Sequence, residues 1–309
     1  MTTPWHARLT LYPTGTNPTQ RFASFINKAR PRAVEIHTWT PDKHAPSLRA
    51  MVPDLVLSCG IGIDGVARRV AKGDQSVTVA VKDALTAVKR AVDCGCERIT
   101  WNAEAEWKRP PDSEESGRIH SLVRNLMDET AAVYPEIRQE HTAYDHPTYH
   151  STYPWRAWLG PGTKIKASWA QVYAAPMGSL MAHRGALTAR ETGALSSWAT
   201  AVKKGWILPD APPGSESDLA DVDWRPYFQA HHVQAIDTVS CALKYDEVTL
   251  WAWPERVDDD GRAAAAVLCA ADRENLWDVR KLQERIGVNV DGNYGILSHR
   301  AALTWAHNR

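Results

Sequence analysis

Short apolar runs with strand character alternate along most of the chain with stretches whose apolar residues recur every three or four positions. The strand-like runs are Ala7–Tyr12, Ala33–Trp39, Asp54–Ser58, Arg98–Asn102, Ile137–Ala143, Ile165–Tyr173 and Val248–Trp253, with a weaker one near Trp224–Gln229. Helical patterns fall between them at Thr19–Ala29, Val77–Asp93, Glu114–Val133, Ala186–Lys204, Val233–Leu243 and Arg262–Arg273. Leu85, Val88 and Val92 form one such stripe, and Leu195, Trp198 and Val202 another. Parallel strands need a long crossover, and a helix supplies it, so this alternation predicts an α/β fold with a mostly parallel sheet. About eight such units in roughly 270 residues match a (β/α)8 TIM barrel.

A doubly wound open sheet is the competing architecture. It would place a Gly-x-Gly-x-x-Gly turn after the first strand. The nearest match, Gly60-Ile61-Gly62-Ile63-Asp64-Gly65, follows the third strand with the wrong spacing and reads as a loop. Pro209–Asp218 breaks the composition and reads as a surface loop. The last residues change character. Leu276, Val279, Leu282 and Ile286 make one helical stripe, Asp291-Gly292-Asn293-Tyr294-Gly295 a turn, and Ala301, Ala302 and Trp305 a second stripe. The chain therefore divides into a barrel over residues 1–275 and a small helical appendix over 276–309.

Charge removes several functions. Thirty-six Lys and Arg balance thirty-six Asp and Glu, so no basic surface argues for nucleic acid or an anionic membrane. No apolar run is long enough for membrane insertion. The N-terminus lacks a charged-then-apolar leader, which implies a cytoplasmic location until release. Cys59, Cys94, Cys96, Cys241 and Cys269 have no zinc spacing and read as reduced, mostly buried thiols. Fourteen Trp stand against three Phe. Indole offers a broad apolar face with a polar edge, which suits stacking against sugar rings.

Barrel chemistry sits at the C-terminal ends of the strands. The fourth strand leads into Thr100-Trp101-Asn102-Ala103-Glu104-Ala105-Glu106, where period two places Thr100, Asn102, Glu104 and Glu106 on one face. The second strand carries Glu35, His37 and Trp39 on one face. Tyr144, Asp145 and His150 follow the fifth strand, Gln171 and Tyr173 end the sixth, and Trp251 and Trp253 end the eighth. Carboxylates, His, Tyr and Trp thus converge on one rim. His141, His146 and His150 around Asp145 suggest metal ligation, but no His-Glu-x-x-His occurs, so neither a metal nor another cofactor is expected. No Gly-x-Ser-x-Gly marks a serine hydrolase.

The run Trp-Asn-Ala-Glu-Ala-Glu-Trp at strand four, Gln-Val-Tyr at strand six and Trp-Ala-Trp at strand eight resemble a glycoside hydrolase barrel. The pattern is similar to the phage-type muramidases of glycoside hydrolase family 25 and to chitinase-like barrels. The resemblance implies that Glu104 is the catalytic acid, with Asn102 where the muramidases carry an Asp. It implies that Tyr173 and Trp251 or Trp253 match chitinase positions at strands six and eight. The appendix, with Leu282-Gln283, Asp291-Gly292, Gly295 and Ala301-Ala302, resembles a peptidoglycan-binding module, in which Ser298 would cap the last helix.

Together these resemblances imply an endolysin-like glycosidase acting on cell-wall peptidoglycan. Glu104 would be the acid, with Glu106, Asp145, Glu35 or Asp64 as its partner carboxylate. Alternatively, Asn102 would orient a substrate acetamide, helped by Tyr173. Glu35, His37, Trp39, Tyr144, His150, Gln171, Trp251 and Trp253 would line the glycan site. The alternatives are a glycan-binding barrel without catalysis, favoured by Asn102, and a barrel hydrolase for another substrate.

Overall fold

The computed structural model describes residues 5–13, 18–104, 107–109, 113–144, 153–172, 223–229, 235–252 and 259–308. The expected strands form: β1 (Ala7–Leu11), β2 (Ala33–His37), β3 (Val56–Gly62), β4 (Cys96–Asn102), β5 (Arg138–Tyr144), β6 (Ile165–Val172), β7 (Asp223–Gln229) and β8 (Val248–Ala252). Each pairs in parallel with the next, and β1 pairs with β8, so the sheet closes into a barrel. In chain order the helices are α1 (Pro18–Ala29), α2 (Ala45–Met51), α3 (Asp64–Lys72), α4 (Val77–Asp93), α5 (Glu114–Val133), α6 (Trp155–Leu159), α7 (Ala235–Ala242), α8 (Asp259–Arg273), α9 (Val279–Ile286) and α10 (Ile296–His307).

Local sequence accounts for the long helices. Ser76 accepts a hydrogen bond from the Val79 amide at the start of α4, and Ser113 accepts one from Ser116 at the start of α5. Gly73 ends α3 at φ 81°, a left-handed conformation that costs glycine no side-chain clash. Two sequence expectations needed correction. The third strand runs to Gly62, so Gly60 and Gly62 are strand residues and not a loop. The short helices α2, α3 and α6 were not anticipated, because five to nine residues show too few turns for a period to stand out. Ala186–Lys204 and Pro209–Asp218 lie outside the described residues.

The two faces of the strands divide the chemistry. Leu9, Leu11, Val34, Ile36, Leu57, Ile61, Ile99 and Trp101 face the helices and join one large apolar core. The barrel interior is polar instead, with Arg8, Glu35, Ser58, Thr100, Glu140 and Thr249 all fully buried. Arg8 lies at its centre. It bonds Glu35 Oε2 at 3.0 Å and Glu140 Oε2 at 2.9 Å, and its Nε donates to Thr249. Glu140 Oε1 takes Arg98 at 2.9 Å and Arg138 at 3.2 Å, while Glu247 joins Arg98 and Arg225. Trp169 lies 4.4 Å beneath the Arg8 guanidinium, and Trp5 the same distance from that of Arg98. Burial pushes Glu140 upward, but Arg8, Arg98, Arg138 and the Trp169 N–H outweigh it and hold this carboxyl at about 2.

Among the described residues most tryptophans are packing residues. Trp101, Trp107, Trp155, Trp158 and Trp169 are fully buried. Several donate their indole N–H across the fold: Trp101 to Gln139, Trp107 to Asp64, Trp169 to Glu140 and Trp277 to the Tyr245 carbonyl. Phe would fill the same space but could not make these bonds.

In the C-terminal segment α10 packs on α8 and α9. Asp278 caps α9, accepting from the Arg280 and Lys281 amides. Gln283, buried under the turn, donates to Asp291 Oδ1, the Asn293 carbonyl and Ser298, and accepts from the Gly292 amide. The Leu-Gln and Asp-Gly elements are thus one hydrogen-bonded knot. Gly295 occupies the cap of α10, and Ser298, expected there, is a buried partner of Gln283 inside the helix. Among the described residues no helix is long and apolar enough to cross a membrane.

Candidate active site

At the C-terminal mouth, β4 ends at Asn102, and the half-buried Glu104 lies two residues on. The Asn102 side chain donates from Nδ2 to Glu104 Oε1 at 3.4 Å. From β6, Gln171 Nε2 donates to the same Oε1 at 3.3 Å and to Asn102 Oδ1 at 3.3 Å. Two amides thus converge on one oxygen of Glu104, and Oε2 stands outside this triangle. Period two places Thr100 below Asn102 on the inward face, where its hydroxyl donates to Glu35 at 2.6 Å.

Asp64 fixes the backbone that carries Glu104. As the first residue of α3 it lies two residues past β3, and its Oδ1 accepts from the Glu104 amide at 2.8 Å and from the Trp107 indole at 2.9 Å. Trp107 is itself fully buried and meets Trp158 edge-on at 5.4 Å. Asp64 therefore clamps the segment after β4, a role different from the partner carboxylate considered for it. Asp64→Ala should strand two donors and cost about 1–3 kcal/mol of stability. It should also lower any turnover that depends on Glu104 on the order of tenfold or more, through misplacement of that carboxyl. Asp64→Asn keeps an acceptor oxygen and should retain most of both, as urea melts and initial rates on the three proteins will show.

The second strand divides its three candidates. Glu35 is fully buried under Arg8 and cannot touch a substrate. Burial pushes its carboxyl upward, against the pull of Arg8 and the Thr100 hydrogen bond. His37 is buried at the mouth, its Nε2 3.5 Å from Asn102 Nδ2. Burial lowers it to about 4, against the attraction of Glu104, so the ring is neutral at neutral pH. Trp39 leaves the strand phase because β2 ends at His37. Its indole donates to the Gly62 carbonyl at 2.8 Å, and it lines a separate pocket of about 460 Å³ with Arg69, Asp83 and Thr86.

Tyr12, one residue past β1, completes the cluster, its ring 4.8 Å from that of His37. Burial and then the charges of Glu104 and Asp64 raise its hydroxyl pKa, which places the phenol within their field. The expected first strand ends at Tyr12, which is not among the site residues the sequence suggests. The inward phase of Arg8, Thr10 and Tyr12 was the available signal.

Tyr144 and Trp251 are placed by backbone only, in β5 opposite Gln171 and in β8 opposite Thr10 and Gln229. Glu106, Asp145, His150, Tyr173 and Trp253 lie outside the described residues, as does His146. His141 points away from the mouth. It is fully buried between Ser168 and the Tyr153 hydroxyl, beside Trp158, and burial holds it at about 3. It is a packing histidine. Among the described residues no three His, Cys, Asp or Glu side chains gather as a metal site.

No family model matches the sequence, and no curated protein matches it. Solved structures do resemble it. A GH18 chitinase from Pseudoalteromonas aurantia superposes with a TM-score of 0.50 at 10% identity, over 86% of this chain and 99% of that one. A GH18 chitinase from Cycas revoluta in complex with (GlcNAc)3 gives 0.38 at 14% identity, over 53% of this chain and 55% of that one. The chain thus spans about half the length of that plant enzyme. A D-psicose 3-epimerase from Clostridium cellulolyticum H10 gives 0.48 at 10% identity, over 87% and 98% of the two chains. At 10% identity the Pseudoalteromonas superposition shows the fold alone and leaves the chemistry to the site.

Proposed function

We propose that this barrel is a glycoside hydrolase that cleaves N-acetylated glycan strands, with bacterial peptidoglycan as substrate. The observation that carries the reading is Glu104 at the mouth of β4, its Oε1 held by the amides of Asn102 and Gln171. A proton on Oε2, outside that triangle, is the one available to a glycosidic oxygen. Transfer of that proton releases the leaving sugar as an alcohol. Asn102 stands where a two-carboxylate enzyme would place an acid. This favours the substrate's own acetamide oxygen as the nucleophile at the anomeric carbon. Water then opens the cyclic intermediate and returns its proton to Glu104. The Pseudoalteromonas chitinase superposition is compatible with this reading, because the same fold houses an enzyme named for chitin. A zymogram on purified cell walls, followed by identification of the new reducing ends, tests it. Clearing with N-acetylhexosamine reducing ends supports the reading. Binding to walls without clearing indicates a non-catalytic glycan-binding barrel, the alternative that Asn102 favours.

Residues 276–309 form the second element of the reading, as a wall-attachment surface. Leu297 is 76% exposed and Ile296 53% exposed in the first turn of α10, an apolar edge beside the Gln283 knot. A second contact on a polymer raises the effective concentration of the barrel at its substrate. Leu297→Asp should lower the fraction that sediments with cell walls several-fold and leave the melting temperature unchanged. An unchanged sedimenting fraction refutes the attachment role.

A further inference from the structure

The Glu35 Oε1 and His37 Nδ1 atoms are both buried, and neither makes a hydrogen bond among the described residues. They face the same space. A β-carbon built on Gly60 would stand 3.0 Å from Glu35 Oε1 and 3.0 Å from both Cγ and Nδ1 of His37. A β-carbon on Gly62, two residues along the same strand, would stand 3.4 Å from Nε2. Gly60 and Gly62 pair with His37 and Asn102 respectively across the sheet, so the imidazole lies against two positions without side chains. The Gly-x-Gly of β3, unexplained by any phosphate-binding turn, is thereby accounted for as the seat of His37.

Hydrogen-bond chemistry assigns the proton. Asn102 Oδ1 accepts from Gln171, and Asn102 Nδ2 donates to Glu104 Oε1, so the amide is oriented with its nitrogen toward His37. His37 Nε2 must then be the acceptor, and the ring proton belongs on Nδ1. Nδ1 faces Glu35, whose other oxygen is already occupied by Arg8 at 3.0 Å and Thr100 at 2.6 Å. Among the described residues, the Tyr12 ring and the Glu104 charge also lie near the imidazole.

From this geometry we propose that His37 is a positioning residue that fixes the Asn102 amide: its Nε2 accepts from Asn102 Nδ2, Asn102 is thereby held on Glu104, and the ring proton sits on Nδ1, toward the space that Glu35 Oε1 also faces. His37 acts through Asn102. Only the kinetic test below rests on Glu104 being the acid.

The tautomer can be read without any substrate. In ¹⁵N-histidine-labelled protein at neutral pH, long-range proton–nitrogen correlations report which ring nitrogen carries hydrogen, and the His37→Asn spectrum identifies the resonance. Protonated Nδ1 with bare Nε2 is the expected result. A proton on Nε2 instead, or on both nitrogens, overturns the proposal whether or not the protein cleaves glycans. The kinetic test compares two variants. His37→Gln keeps an acceptor near the Nε2 position, whereas His37→Asn keeps a polar group only near Nδ1. The Asn variant should lose kcat on the order of ten- to a hundredfold with little change in KM, and the Gln variant should recover most of it. Equal activity of the two variants refutes the positioning role. If neither variant folds, through-bond backbone-to-ring assignment of the wild-type protein identifies the His37 resonance, and its tautomer decides alone.

Discussion

Glu104→Gln should abolish the release of reducing ends from cell walls, by about 10²–10⁴-fold, the usual contribution of a positioned general acid. Folding should be unaffected. Gln keeps an oxygen where Oε1 accepts from Asn102 and Gln171, and the backbone amide of residue 104 remains bonded to Asp64. Only the proton on the second oxygen is removed. Initial rates on walls, with a thermal melt of the same preparation, check both halves. Full activity in the variant removes Glu104 from the mechanism. Lost activity with a lowered melting temperature would assign the residue a structural role.

Glu140→Gln should cost about 3–5 kcal/mol of unfolding free energy, because it leaves buried arginines without their shared counter-charge. Glu140 is fully buried and meets Arg8, Arg98 and Arg138 together, so no water replaces the lost charge. The same network sets an acid limit. The carboxyl is depressed from 4.5 to about 2 in the folded protein. Its contribution is therefore complete above the unfolded value near 4.5 and is lost as pH falls toward 2. Glu35, raised by burial, acts in the opposite sense, so the informative quantity is the difference between wild type and variant. Urea melts at neutral pH and between pH 4.5 and 3 should show that difference shrinking with acid. A constant difference would mean that Glu140 matters by shape and not by charge.

The barrel was legible because strand and helix periods are local properties. Val77–Asp93 and Glu114–Val133 match the expected helices end to end, each started by a serine cap visible in the sequence. The inward phase of Thr100 and Asn102, followed by Glu104 at the rim, was equally readable, since side chains alternate along any strand. The Cys residues behaved likewise: Cys59, Cys96, Cys241 and Cys269 are buried.

What local pattern could not give is which inward residues meet. Glu35 and His37 lie two apart on one strand and looked alike, yet closure of the barrel puts Arg8 over the first and leaves the second at the mouth. Trp39 has the same phase on paper, but β2 ends two residues earlier and its indole turns to Gly62. Asp64 and Gly60 acquire their roles from β4 and β2, partners far away in sequence, and Gln171 reaches Glu104 only because β6 curves round to face β4. Alternation of elements determined that this chain forms a closed parallel sheet with a carboxylate at the end of its fourth strand. Closure alone decided which charges are buried as pairs and which amides hold that carboxylate, because those contacts are made across the barrel, where sequence separation carries no information about distance.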